Sequence, residues 1–142
     1  MTDQTTVTRR PDEAADDLAD LGSTLAALRT AYGRDTSELP DRWTDDNPRT
    51  GQCHVTALIV KERHGGRIVL GWTSGNDLHH WNVIDGITID ATRDQFAPDI
   101  VIDRIEDATD EVLNDTTKAK RDRLAERTFG QPGWRRCQCR TR

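Results

Sequence analysis

The sequence predicts an α+β domain in which a buried helix carrying a cysteine packs on a small antiparallel sheet, flanked by an N-terminal and a C-terminal helix. Three observations point there. First, 17 of the 27 Leu, Ile, Val and Phe residues fall between Val55 and Ile105, so the 142-residue chain has one hydrophobic block with thin flanks. Second, Cys53–Val60 is an apolar run followed by Lys61, Arg63 and His64 and then Gly65-Gly66, a basic last turn with a glycine stop. Third, the runs on either side of Asp85-Gly86 are strand-like, and that dipeptide favours a two-residue hairpin turn.

The elements follow in order. Residues 1–11 are polar and Thr-rich and are expected to be disordered, with a single domain over 12–130 and a basic tail over 131–142. From Asp12 the apolar positions Ala14, Leu18, Leu21, Leu25, Leu28 and Tyr32 step by three or four, one stripe on an otherwise charged helix. Gly22-Ser23-Thr24 is a candidate break in it. The stripe is expected to pack on the core, with a partner-binding helix as the sharper alternative. Residues 33–52 read as loop, punctuated by Pro40, Asn47-Pro48 and Gly51, with Trp43 inside it. That tryptophan either covers an edge of the core or lines a cleft. Periodicity alone leaves Cys53–Val60 as strand or buried helix, and the glycine pair decides for a helix. Strands are expected at Arg67–Thr73, Leu78–Ile84, Ile87–Thr92 and Ile100–Ile105, and a last helix at about Thr116–Thr128, ended by Gly130 and Pro132.

Composition excludes several classes. No apolar run reaches the ~18–20 residues of a membrane span. The start MTDQTTVTRR has no hydrophobic signal region, and three cysteines cannot all pair, so a cytoplasmic setting with reduced thiols is expected. Residues 1–117 carry 11 basic and 23 acidic side chains, and residues 118–142 carry nine and two. An acidic body with a basic tail argues against a dedicated nucleic-acid binder.

Chemistry is predicted at Cys53. At the first turn of a helix, free backbone N–H groups and the helix dipole favour the thiolate, which is the nucleophilic form. A base is offered by His79 or His80. With Asp85-Gly86 as the turn, Ile84 opposes Ile87, so His79, Trp81, Val83, Thr88, Asp90 and Thr92 share one sheet face. His80 then points to the other face with Asn82, Ile84, Ile87 and Ile89. Asp90 is the diagonal neighbour of His79, which selects His79. A three-residue turn would reverse the parity and promote His80. The arrangement read from the residues is Cys53 as nucleophile, His79 as base and later acid, and Asp90 fixing the imidazole tautomer. The backbone of Cys53 and Gln52 is the candidate oxyanion site, and Trp81 and Trp43 are candidate cleft walls. The inert alternative is a packed cysteine with a His–Asp pair that only staples the hairpin.

The stretches Asn47–Val60, His79-His80-Trp81-Asn82, Asp85-Gly86 and Ile89–Phe96 resemble the YunG-like family of small bacterial and phage proteins, over about residues 21–128. More remotely, Gly51-Gln52-Cys53 opening a helix, His79-His80-Trp81, and Asp90-Ala91-Thr92 are similar to transglutaminase-like and papain-like cysteine enzymes. That similarity implies a papain-like or transglutaminase-like core with Cys53, His79 and Asp90 as a triad. Asp90-Ala91-Thr92 departs from the usual Asp-Pro-Thr of the transglutaminase-like group.

The expected function is thus a thiol-dependent acyl hydrolase or acyltransferase acting on an amide, isopeptide or thioester in a peptide or small acyl substrate. The rival is a non-catalytic binding protein on the same fold, a phage or bacterial accessory protein whose Arg-rich end either meets a phosphate-rich or acidic partner or is a solvated tail. A zinc site is the third reading, from Cys53, His54, His64, His79, His80, Cys137 and Cys139. None of these has the paired spacing of a structural zinc module, so neither metal nor cofactor is predicted.

Overall fold

The computed structural model describes residues 11–130, with side chains from residue 19 onward. Residues 1–10 of the expected disordered start and the basic tail, with Cys137 and Cys139, lie outside those residues, as do the side chains of Ala14 and Leu18, whereas Pro11, expected to be disordered, opens the first helix. The architecture is α+β: α1 (Pro11–Arg29), α2 (Cys53–His64), β1 (Arg67–Thr73), β2 (Leu78–Ile84), β3 (Ile87–Ile89), β4 (Ile102–Asp107) and α3 (Asp115–Phe129). The strands form one antiparallel sheet in the order β3-β2-β1-β4. No described helix is long and apolar enough to cross a membrane.

The helix α1 runs through Gly22-Ser23-Thr24 without a break. Ser23 stays helical by turning its hydroxyl back onto the carbonyl of Ala19 at 3.1 Å. Leu21 and Leu28 of the predicted stripe are buried, with Leu25 and Tyr32 packed beside them. They meet Val55, Ile59 and Val60 of α2 and Leu124 and Ala125 of α3, a core of three helices. A second cluster joins Ala57 and Leu58 of α2 to Ile68 and Leu70 of β1 and to Ala108. Helix α2 is therefore apolar nearly all round because it is covered on both sides, which is why its residues show no amphipathic stripe. It ends where Gly65, at φ 87°, donates its N–H to the carbonyl of Lys61.

The hairpin turn is the predicted one. Asp85 and Gly86 both have positive φ, 51° and 78°, and the register pairs Ile84 with Ile87, Val83 with Thr88 and Asn82 with Ile89. Pairing stops there: β3 is three residues long, and Asp90 has left the ladder instead of continuing to Thr92. The last strand is shifted, running Ile102–Asp107 with an irregular register opposite Leu70–Trp72. Arg104 takes a positive φ of 53° beside that irregularity. Helix α3 begins at Asp115, one turn-satisfying bond marking its start: Asn114 Oδ1 accepts from the Thr117 N–H at 2.7 Å.

Candidate functional site

Cys53 is the first residue of α2 and is 8% exposed. The turn before it is shaped by Gly51, whose φ of 71° suits glycine and whose Cα is pressed against the Leu39 backbone, so that an added Cβ would lie 2.6 Å from the Leu39 nitrogen. Gln95 closes the same turn from the other side. Its Oε1 accepts from the Gly51 N–H at 3.0 Å, while its backbone carbonyl accepts from Asn47 Nδ2 at 3.1 Å. The segment that follows Asp90 thereby holds the segment that precedes Cys53.

His79 is fully buried on β2. Its Nε2 lies 2.8 Å and 3.0 Å from the two carboxylate oxygens of Asp90. Its ring is walled by Trp81, stacked at 5.5 Å between centroids, and by Phe96, edge-on at 5.0 Å. The departure of Asp90 from the strand brings its carboxylate to the imidazole without a side chain having to span a full diagonal. With Nε2 committed to Asp90, Nδ1 is the nitrogen left for the thiol, and it is buried with no nitrogen or oxygen partner.

Electrostatics couple the two. Burial pushes the Cys53 thiol up, but hydrogen bonding and charge from His79 and then His80 outweigh it and bring the thiol down to about 6. Burial likewise works against a charged His79, and the Asp90 hydrogen bond followed by the thiol raises it to about 9. Both shifts favour a thiolate paired with an imidazolium at neutral pH.

Three further residues adjoin the thiol. His80, on the opposite sheet face by parity, also reaches Cys53. Its Nε2 is 3.2 Å from Glu111 Oε1, and its ring stacks on that of His54 at 3.8 Å with planes 6° apart. Glu111 Oε1 is also 3.4 Å from His54 Nε2. Burial, and then the charge of His80, hold His54 down to about 3, so it is neutral. Reading the sheet as two separate faces hid His80, because the thiol at the helix end meets both. Glu111 carries no local signal at all: it sits in the loop before α3, 31 positions from His80.

His54, His80 and Glu111 each bring a ligand atom within 4.8 Å of the others. The 3.2 and 3.4 Å separations are close to the roughly 3.3 Å edge of a tetrahedron with zinc–nitrogen bonds near 2.0–2.1 Å. The two rings are parallel, however, so their in-plane lone pairs run side by side instead of converging. An ion held there must first part the stack. His64, another ligand candidate, is occupied elsewhere, its Nε2 2.8 Å from Thr24 Oγ1.

A cavity of about 330 Å³ opens beside the thiol, with Cys53, His54, His80 and Glu111 in its wall. His79 and Asp90 stand behind that wall. Of the proposed cleft residues, Trp81 covers His79, and Trp43 is tied by its indole N–H to the Pro48 carbonyl at 2.9 Å under the Arg34 guanidinium. Neither is part of the cavity wall. Gln52 turns inward: its Oε1 accepts from Thr36 Oγ1 at 2.9 Å and its Nε2 donates to the Gly33 carbonyl at 2.9 Å. Its backbone N–H is also taken, by the Arg49 carbonyl at 3.0 Å. Gln52 therefore fastens the loop, and the N–H of Cys53 is the remaining candidate of the predicted oxyanion pair.

Comparison with known proteins agrees with the YunG-like resemblance read from the motifs, and no match supports the more remote likeness to transglutaminase-like and papain-like enzymes. A family model described as YunG protein matches residues 20–131. A Bacillus subtilis (strain 168) protein, described as "Uncharacterized protein YunG", is 31% identical over 99 residues, 70% of this chain and 83% of the relative. No solved structure matches.

Proposed function

The chain belongs to the YunG protein family, and we propose that it is a thiol-dependent acyl hydrolase or acyltransferase of the papain-like or transglutaminase-like kind. The observation that carries this reading is the order Cys53–His79–Asp90, with the thiol at a helix start and the far nitrogen of the imidazole held by a carboxylate. His79 takes the thiol proton, Asp90 stabilises the resulting imidazolium, and the thiolate attacks the carbonyl carbon of an amide, isopeptide or thioester. The developing oxyanion meets the N–H of Cys53 and the positive end of α2. Leu39, Leu78, Phe96, Val112 and Leu113 in the cavity wall supply an apolar seat for the acyl group. A thiol used in this way needs a reducing compartment such as the cytoplasm.

The test is covalent capture. Incubated at pH 7 with an acyl thioester or p-nitrophenyl acetate, the protein should gain one acyl mass on the peptide containing Cys53. Cys53→Ala should gain none, and His79→Gln should acylate at least tenfold more slowly. A Cys53 that reacts only after unfolding makes the protein a binding module on this fold.

A further inference from the structure

Two histidine–carboxylate pairs, His79–Asp90 and His80–Glu111, both lower the Cys53 thiol, and they occupy different environments. His79 is 0% exposed, closed in by Trp81 and Phe96, and stands with Asp90 outside the cavity wall. His80 and Glu111 are in that wall beside Cys53. Nε2 of His80 is engaged by Glu111 at 3.2 Å, whereas its Nδ1 is buried with no nitrogen or oxygen partner. The His54 ring, stacked flat on His80, fixes the plane of that imidazole.

A group leaving a substrate bound in the cavity departs into the cavity. A proton must reach it there, and a side chain sealed behind the wall is poorly placed to deliver one. We infer that His80, oriented by Glu111, is a second catalytic histidine, which protonates the departing group in the cleft while His79 and Asp90 hold the thiolate. This rests on the acyl-transfer reading above and divides its labour.

The steps balance. The Cys53 thiolate forms a C–S bond to the carbonyl carbon, and the bond to the departing nitrogen, oxygen or sulfur breaks with its electron pair on that atom. That atom takes the proton from Nδ1 of the His80 imidazolium. In hydrolysis the now neutral Nδ1 removes a proton from water as the new C–O bond forms. The C–S bond breaks, and the thiolate and the imidazolium are both restored. Glu111 accepts from Nε2–H throughout, as a positioning residue that stabilises the charged ring.

The experiment compares two esters of the same acyl group, p-nitrophenyl acetate and phenyl acetate, with the full chain. Nitrophenolate leaves readily without protonation, and phenolate is the poorer leaving group. In the wild type, acid assistance keeps the two Cys53-dependent rates close. His80→Gln should widen the ratio of nitrophenyl to phenyl rates by about tenfold or more, and Glu111→Gln should widen it less. His79→Gln should slow both esters alike and leave the ratio unchanged. Glu111 is a surface-accessible side chain, so its variant guards against a fold defect at the buried His80. If His80→Gln slows both esters equally, or neither, and Glu111→Gln leaves the ratio unchanged, the second histidine is not the acid. Absence of Cys53-dependent turnover of either ester in the wild type overturns the acyl-transfer reading itself, a separate and recognisable result.

Discussion

Nε2 of His79 is held between both carboxylate oxygens of Asp90, at 2.8 and 3.0 Å, so one ring nitrogen is spoken for and Nδ1 is the one left for the thiol. Asp90→Asn keeps an acceptor near Nε2 but removes the negative charge that stabilises the imidazolium. Acyl turnover should fall by about 10²–10⁴. The half-point of Cys53 alkylation should also move to higher pH, read from iodoacetamide rates across a pH series.

The Cys53–His79 pair sets a pH window. Wild-type alkylation should rise with a half-point near 6, far below the ~8.5 of a free thiol. The same shifts act on stability. Cys53, lowered from 9.0, contributes fully above pH 9 and loses its contribution as pH falls through about 6. His79, raised from 6.5, contributes fully below pH 6.5 and loses it as pH rises through about 9. The two are one ion pair, strongest between those values. Between about pH 6.5 and 9 the two slopes cancel, so the wild-type urea midpoint should be nearly level there; Cys53→Ala leaves His79 raised by Asp90 alone, and its midpoint should fall as pH rises through that range.

His54 acts with the opposite sign. It stays neutral in the fold down to about pH 3, while in the unfolded chain it takes a proton below 6.5. The unfolded state binds the extra proton, so stability drops as pH falls from 6.5 toward 3. At pH 5 the loss is of order 2 kcal/mol. His54→Asn should remove most of that loss, measured as the difference between urea midpoints at pH 7 and pH 5 in variant and wild type.

Gln52 is fully buried, and its amide joins Thr36 to the Gly33 carbonyl. Gln52→Ala removes two buried hydrogen bonds, while the Gly33 carbonyl and the Thr36 hydroxyl keep each other as partners, so the cost is about 1–3 kcal/mol for the two lost bonds. Urea denaturation should show that loss. If the side chain is purely a fastener, the alkylation half-point of Cys53 in the folded variant should stay near 6.

Much of this site was legible in the chain because it is local. The Asp85-Gly86 turn sets parity, and parity puts His79, not His80, on the side of Asp90. The start of α2 at Cys53 follows from the Gly51 turn and the basic, glycine-ended finish. Other features needed the third dimension. Nothing local announces that β3 stops at Ile89, since Asp90 leaves the ladder to meet a buried ring. The inward turn of Gln52 depends on Thr36 and Gly33, which lie in a loop without periodicity. Glu111 joins His80 only because β4 returns along β1 and delivers the following loop to the end of α2. Helix ends at sheet rims escape face-by-face parity, and that is how both histidines come to one sulfur.

Gln95 links the segment that carries Asp90 to the segment that carries Cys53, through its side chain to Gly51 and its carbonyl to Asn47. The two segments are thereby a single mechanical body, although 37 positions separate Cys53 from Asp90. Thermal agitation large enough to misalign one must displace the other. Reactivity of the thiol should then disappear abruptly on heating, in step with loss of that clamp, and not wear away gradually as one partner drifts from its neighbour.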